Sequence, residues 1–333
     1  MQMILILDIG AVVSVRRMGP TRRVLLSAAG RVRSILAVLV GSMLVVVAGC
    51  GAVAPNGAHA RITVVAAENE YGNVAGQIGG KYVAVASVET NPNTDPHTFE
   101  ASPAVARELA AAQLVVINGV GYDAWAQKML NASPSREREV VDAQSVLGLP
   151  ADTENPHLWY NLTTMPRVAA AIAADLAKLQ PAHASYFQAN LTAFDQSLEA
   201  WDEAIAAFKA KYAGTAVAVT EPVGDYLLQA AGCDILTPWS FQAAIMNGTD
   251  PSPQDVTLEE SLFNDHRVKV FLYNQQVTDS LTASLLALAE KDGIPVVGVY
   301  ETMPTGYTYQ SWMMAETNAL ERAVADGTST TKL

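Results

Sequence analysis

The chain contains five histidines, and two of them stand in matching settings: Asp95-Pro96-His97 and Asn155-Pro156-His157. In each, a polar residue and a proline precede the imidazole, and the proline fixes the backbone just before it. A lone histidine is more often structural than a ligand. Two in the same Pro-His setting move the balance toward a metal site, because neutral imidazole is the commonest metal-binding side chain. Two carboxylates extend the set. Glu221 directly follows the β-rich run Ala216–Thr220, and Glu301 directly follows Val296–Tyr300. Ligands of open parallel sheets bind beyond the carboxyl ends of the strands. Neither glutamate has a Lys or Arg beside it in sequence, and a divalent cation would supply the missing positive partner. Taken singly, each glutamate more often reads as a helix N-cap or a solvated loop acid.

The elements that must hold these residues follow an alternating plan. Ile62–Ala67, Tyr82–Val88, Leu114–Asn118 and Glu139–Asp142 read as strands, with helical segments such as Pro103–Ala112 between them. This alternation predicts parallel βαβ units. A further helix starts near Thr163 or Thr164. From His183 to Tyr212 there is no Gly or Pro, and Phe187, Leu191, Phe194, Leu198, Trp201, Ile205 and Phe208 recur at spacings of three and four. That stripe predicts one helix of about 40 Å, a stiff strut. Alternation then resumes, with strands at Ala216–Thr220, Ile235–Leu236, Val268–Tyr273 and Val296–Tyr300 and helices at Tyr226–Ala231, Leu258–Asn264, Leu281–Lys291 and Tyr309–Ala325. The expected fold class is α/β: two βα domains with mostly parallel four-stranded sheets, joined by one long rigid helix. The expected boundaries are 61–180, 181–213 for the linking helix, and 214–327, with a tail at 328–333.

The first residues predict export. Arg22, Arg23, Arg31 and Arg33 precede an apolar run from Ile35 to Val47, broken only by Gly41 and Ser42. The run is shorter than the roughly 20 residues of a membrane-spanning helix and has the form of a secretory signal peptide. It ends in Val47-Ala48-Gly49-Cys50, which resembles a bacterial lipobox, so residues 1–49 are expected to be removed and Cys50 to carry the lipid. Met18 is the expected true start. Residues 50–60 are small and turn-rich, a tether. With Cys50 lipidated, Cys233 has no partner for a disulfide, and its apolar neighbours assign it a buried role. The first fifty residues hold six Arg and one Asp; of 21 basic and 33 acidic residues, 15 and 32 remain, a net charge of −17. Such a surface repels nucleic acid and anionic lipid.

The motifs also carry a resemblance. Asp95-Pro96-His97-Thr98-Phe99-Glu100 with Ser102-Pro103, and Asn155-Pro156-His157-Leu158-Trp159, resemble the first two ligand motifs of the zinc- and manganese-binding lipoproteins of ABC importers. Thr220-Glu221-Pro222 falls where that family places its third ligand, a His or Glu. Tyr300-Glu301-Thr302 falls at the fourth, where Asp is commoner. The resemblance spans residues 62 to 326. It implies a monomeric two-domain binding protein on the outer face of the cell membrane, with His97 and His157 from one half and Glu221 and Glu301 from the other around one ion. It further implies delivery to an ABC permease with its ATPase, and no catalysis. The donor set of two imidazoles and two hard carboxylates leans slightly to Mn²⁺ over Zn²⁺. The alternatives are an exported zinc metalloenzyme, against which no His-Glu-X-X-His motif occurs, and a siderophore or corrinoid binder on the same scaffold.

Overall fold

The computed structural model describes residues 60–333; the apolar run, Cys50, Met18 and His59 lie outside the described residues. Strands β1 (Ile62–Glu68), β2 (Val83–Glu89), β3 (Leu114–Ile117) and β4 (Glu139–Asp142) form one sheet in the order β2-β1-β3-β4, parallel throughout. Between and after them lie α1 (Asn69–Gly79), α2 (Pro103–Ala111), α3 (Ala124–Ala132), α4 (Ala143–Leu147) and α5 (Thr164–Leu179). The second sheet comprises β5 (Ala216–Val219), β6 (Asp234–Ile235), β7 (Val270–Asn274) and β8 (Val296–Val299), in the order β6-β5-β7-β8 and again parallel. The two orders are the same, so the halves share one topology, as the alternation of strands predicts. In the central strands β3 and β7 every residue is buried, which is the pattern of parallel strands covered on both faces.

The long helix α6 (Ala184–Tyr212, 29 residues) joins the sheets. Its buried residues are the seven of the apolar stripe. It packs against α1 and α5 of the first half and α11 (Tyr309–Asp326) of the second, so one apolar face serves both. Trp201 is fully buried there, and its indole N–H donates to Thr317 Oγ1 at 2.9 Å. The remaining helices of the second half are α7 (Asp225–Ala230), α8 (Trp239–Met246), α9 (Pro253–Asn264) and α10 (Ser280–Lys291). Helix α9 starts five residues earlier than the apolar pattern places it. Ser252 caps it and Pro253 sits at its first turn, a start signal that outweighs periodicity. Residues 328–333 are docked on the second sheet: Thr330 bridges Val297 in parallel, and Val296 N donates to Ser329 Oγ at 3.0 Å. No described helix is long and apolar enough to cross a membrane.

Helix α1 is absent from the apolar pattern, and its composition explains why. Its sequence NEYGNVAGQIG carries three glycines, which weaken helix propensity. Packing requires two of them: a side chain at Gly72 would collide with Ser87, and one at Gly79 with Val83, both on β2.

Candidate metal centre

Three of the four candidates follow strands, His97 after β2, Glu221 after β5 and Glu301 after β8, and His157 lies in the loop after α4. His97 lies in a short 3-10 turn after β2. Asp95 caps that turn by accepting His97 N–H at 2.8 Å, with Pro96 at its first position, the arrangement an Asx-Pro sequence favours. His157 sits in the turn before the 3-10 segment Leu158–Tyr160. Asn155 Oδ1 accepts both its backbone N–H (3.0 Å) and its ring Nδ1 (2.8 Å), while Asn155 Nδ2 donates to Pro222 O across the cleft at 2.8 Å. That second bond fixes which way the amide faces, so the network assigns the proton to Nδ1 and leaves Nε2 as an acceptor.

The Nε2 atoms of both imidazoles lie close to one carboxylate oxygen. Glu301 Oε2 lies 3.0 Å from His97 Nε2 and 3.2 Å from His157 Nε2, and it also accepts the Tyr122 hydroxyl at 3.0 Å. The His97 contact is close enough for an ion pair but out of line for a hydrogen bond. His157 and Glu301 are wholly buried, whereas the His97 side chain is 21% exposed. Donor atoms of His97, His157 and Glu301 all lie within 4.8 Å of one another. Glu221 stands just outside this group. Its Oε1 accepts Asn274 Nδ2 at 3.0 Å, the same amide that donates to Glu301 Oε1 at 2.7 Å, and its buried Oε2 has no hydrogen-bond partner. The structure thus brings three of the four candidates together and places the fourth one amide away.

Electrostatics divide the four into two kinds. Burial alone would lower the His97 pKa, but the Glu301 carboxylate, aided by Glu221 and Asp95, outweighs it and raises the ring to about 9. His157 moves down, because its complete burial outweighs the same carboxylate. Burial favours a neutral Glu301, yet the two histidines hold it well below the usual carboxylate range. Burial and then the Glu301 charge push Glu221 well above that range. At neutral pH the site therefore holds an imidazolium at His97, an ionised Glu301 and a neutral His157, while burial favours the neutral form of Glu221. Where His157 Nε2 faces Glu301 Oε2, acceptor faces acceptor, a contact that a cation between them would satisfy. Two imidazole nitrogens and carboxylate oxygens are donors that fit a borderline transition-metal ion.

Other residues frame the site. Gly119, Val120 and Gly121 all have positive φ (78°, 54° and 76°), and for a β-branched valine that is an unfavourable conformation. The bend carries Tyr122 to Glu301. On one side of it a cleft of about 430 Å³ opens, lined by His97, Tyr122, Glu154, Trp239 and Met246 among others. Behind the site lie Glu68, Glu70, Glu89 and Asp123, all buried. Burial first, then their mutual repulsion, keeps Glu68 well above the usual carboxylate range. Burial raises Glu89 to about 8. Among the other histidines, His183 stacks on Tyr82 with ring centroids 3.7 Å apart, and His266 is exposed with φ 48°. Cys233 is buried, its thiol pushed up to about 12 by burial.

Asn274 and Tyr122 do not stand out in the sequence. The signal that finds Asn274 is positional: β3 and β7 hold equivalent places in the two sheets, and each leads to an asparagine at its carboxyl end, Asn118 and Asn274.

Comparison with known proteins agrees with this architecture. The family model described as ZnuA, zinc-uptake complex component A, periplasmic, matches residues 64–323. The manganese-binding lipoprotein MntA of Bacillus subtilis is 26% identical over 162 residues, covering 46% of this chain and 53% of that protein. The manganese ABC transporter substrate-binding lipoprotein PsaA of Streptococcus pneumoniae is 25% identical over 185 residues, covering 52% and 59%. The chain thus spans between half and three-fifths of the length of these curated relatives. Among solved structures, ZnuA superposes with a TM-score of 0.66 at 21% identity, covering 80% of this chain and all of that one. The binding protein FpvC of P. aeruginosa, solved with Ni²⁺, gives 0.65 at 21% identity over 81% of this chain and 99% of that one; both likenesses speak to the fold. Because the family match runs through both sheets and the helix that joins them, the chain belongs to the ZnuA family of zinc-uptake component A proteins.

Proposed function

We propose that this protein captures one divalent transition-metal ion outside the cell membrane and delivers it to an ABC permease driven by its ATPase, catalysing no reaction. The reading includes a lipid on Cys50 that anchors a monomer to the extracytoplasmic face, a lobe at 61–180, a second at 214–327, and the helix 181–213 between them. The ligands are His97, His157, Glu221 and Glu301. The observation that carries the reading is the convergence of His97, His157 and Glu301 donor atoms within 4.8 Å, with acceptor facing acceptor at His157.

Charge bookkeeping supports it. Uptake displaces the proton of His97 and any proton that Glu221 holds. With both released, one M²⁺ replaces two H⁺, so the net charge of a buried site is unchanged and no uncompensated charge is desolvated. Donor type leans slightly to Mn²⁺ over Zn²⁺, since two of the four ligands are hard carboxylates and none is a thiolate.

The test is elemental analysis of protein purified without added metal or chelator, together with melting in the presence of Mn²⁺ or Zn²⁺. A bound ion near one equivalent, and a melting temperature that climbs with metal concentration by mass action, is the expected result. Protein that carries no transition metal, and whose melting is indifferent to both ions, contradicts the proposal.

A further inference from the structure

We propose that Asn274 is a specificity-determining residue: by holding one oxygen of Glu221 and one of Glu301 it lets each carboxylate offer a single donor, which favours an ion satisfied by four ligands and disfavours one that needs more. The inference rests on the metal-binding reading above.

Asn274 ends β7 and is fully buried, as are Glu221 and Glu301 to within 2% of their surface. Its amide cannot face the other way. Gln276 N donates to Asn274 Oδ1 at 2.9 Å, so the NH₂ group is turned to the carboxylates. One hydrogen goes to Glu221 Oε1 and the other to Glu301 Oε1. Both donors of the amide are used; Glu221 keeps Oε2 without a hydrogen-bond partner, and Glu301 turns Oε2, which also accepts the Tyr122 hydroxyl, to the two imidazoles. A carboxylate that chelates through both oxygens has to turn toward the ion, which pulls its Oε1 away from the Asn274 N–H and weakens a buried hydrogen bond.

The first half shows that the fold does not demand this grip. Asn118, at the equivalent strand end, spends its NH₂ on the backbone oxygens of Gly119 and Pro156 and not on a candidate ligand. Four single donors suit Zn²⁺, which is tetrahedral in most closed protein sites. Mn²⁺ prefers six oxygen-rich ligands. Donor type and donor number therefore act in opposite directions in this site, and Asn274 controls the second.

The test uses the full chain as wild type, Asn274→Ala and Asn274→Ser, with Mn²⁺ and Zn²⁺ affinities measured by competition. The ratio of the Mn²⁺ to the Zn²⁺ dissociation constant is expected to fall about tenfold or more in Asn274→Ala, and by less in Asn274→Ser, whose hydroxyl holds one carboxylate. In parallel, the visible absorption of the Co²⁺-loaded protein should weaken in Asn274→Ala as the coordination number rises. X-ray absorption of the Zn²⁺-loaded wild type should show two nitrogens and two single carboxylate oxygens, a result independent of whether any variant folds. A ratio within about twofold of wild type in both variants, or a chelating carboxylate in the wild type, overturns the inference while leaving metal binding intact. A wild type that binds neither ion overturns the metal-binding reading and this inference with it.

Discussion

The first half of the molecule holds its imidazoles on turns, and the second holds its carboxylates at strand ends. His97 and His157 are positioned by Asx-type side chains two residues upstream, Asp95 and Asn155. Glu221 lies two residues past the end of β5 and Glu301 two past the end of β8, and the Asn274 amide links both. One pair is built from local turn chemistry and includes the most exposed member, while the other is fixed by a buried strand end. Shared topology thus sets where ligands can stand, and local hydrogen bonds set which chemistry stands there. The halves are in turn held together at the site by Asn155 to Pro222 O and by Gln276 Nε2 to Thr94 O at 2.7 Å, the latter reaching the loop that carries His97.

The largest way to break this arrangement is through the helix both halves share. Trp201→Ala should cost about 3–5 kcal/mol of stability, read as a lowered denaturation midpoint. Both halves should unfold together, because α6 buries its stripe against each. Next is the pair of strand-end asparagines. Asn118→Ala should cost about 1–3 kcal/mol, because it strips a partner from the buried Tyr71 hydroxyl and from Pro156 O. It should leave the Mn²⁺ to Zn²⁺ preference unchanged, in contrast to Asn274→Ala; a shifted preference would erase the distinction between the halves.

Acidity sharpens the comparison further. Burial raises Glu89 in the first half to about 8, and Glu259, Glu316 and Asp225 in the second to about 8, 8 and 7. An acid whose folded pKa is raised contributes stability that is present below its unfolded pKa and lost as pH rises through the folded value. His97, raised to about 9, acts in the same direction. The metal-free protein should therefore melt several degrees lower at pH 8.5 than at pH 5.5, as seen by calorimetry. A melting temperature that is flat or rises over that window would mean these carboxyls are not buried as described. The smallest effect belongs to the histidines away from the cleft. His183→Ala should cost about 0.5–1.5 kcal/mol through its stack on Tyr82. Neither it nor His266→Ala should alter metal affinity beyond about twofold.

Much of this was legible in the residues. Alternating apolar runs gave both sheets, and the seven-residue stripe of α6 is its buried face, because these patterns follow from burial itself. The Pro-His settings and the strand-end glutamates marked the candidate site, since turn chemistry and strand ends leave local traces. Helix α1 left none, because its glycines answer to contacts with β2 that are distant in sequence. Asn274 was equally silent: an asparagine after Tyr273 looks like any strand end until Glu221 and Glu301 are brought to it by the sheet. The titration of His97 also lies beyond local sequence. An unperturbed ring titrates near 6.5, but the Glu301 carboxylate raises this one to about 9.

The most direct measurement is calorimetric titration of Mn²⁺ and Zn²⁺ into wild type, His97→Ala and His157→Ala at pH 7.5, in buffers of different ionisation enthalpy. The account predicts one ion per wild-type chain, release of about one to two protons on binding, and a loss of affinity of about a hundredfold or more in each variant. Variants that bind either metal as tightly as wild type, or binding that releases no proton, would contradict it.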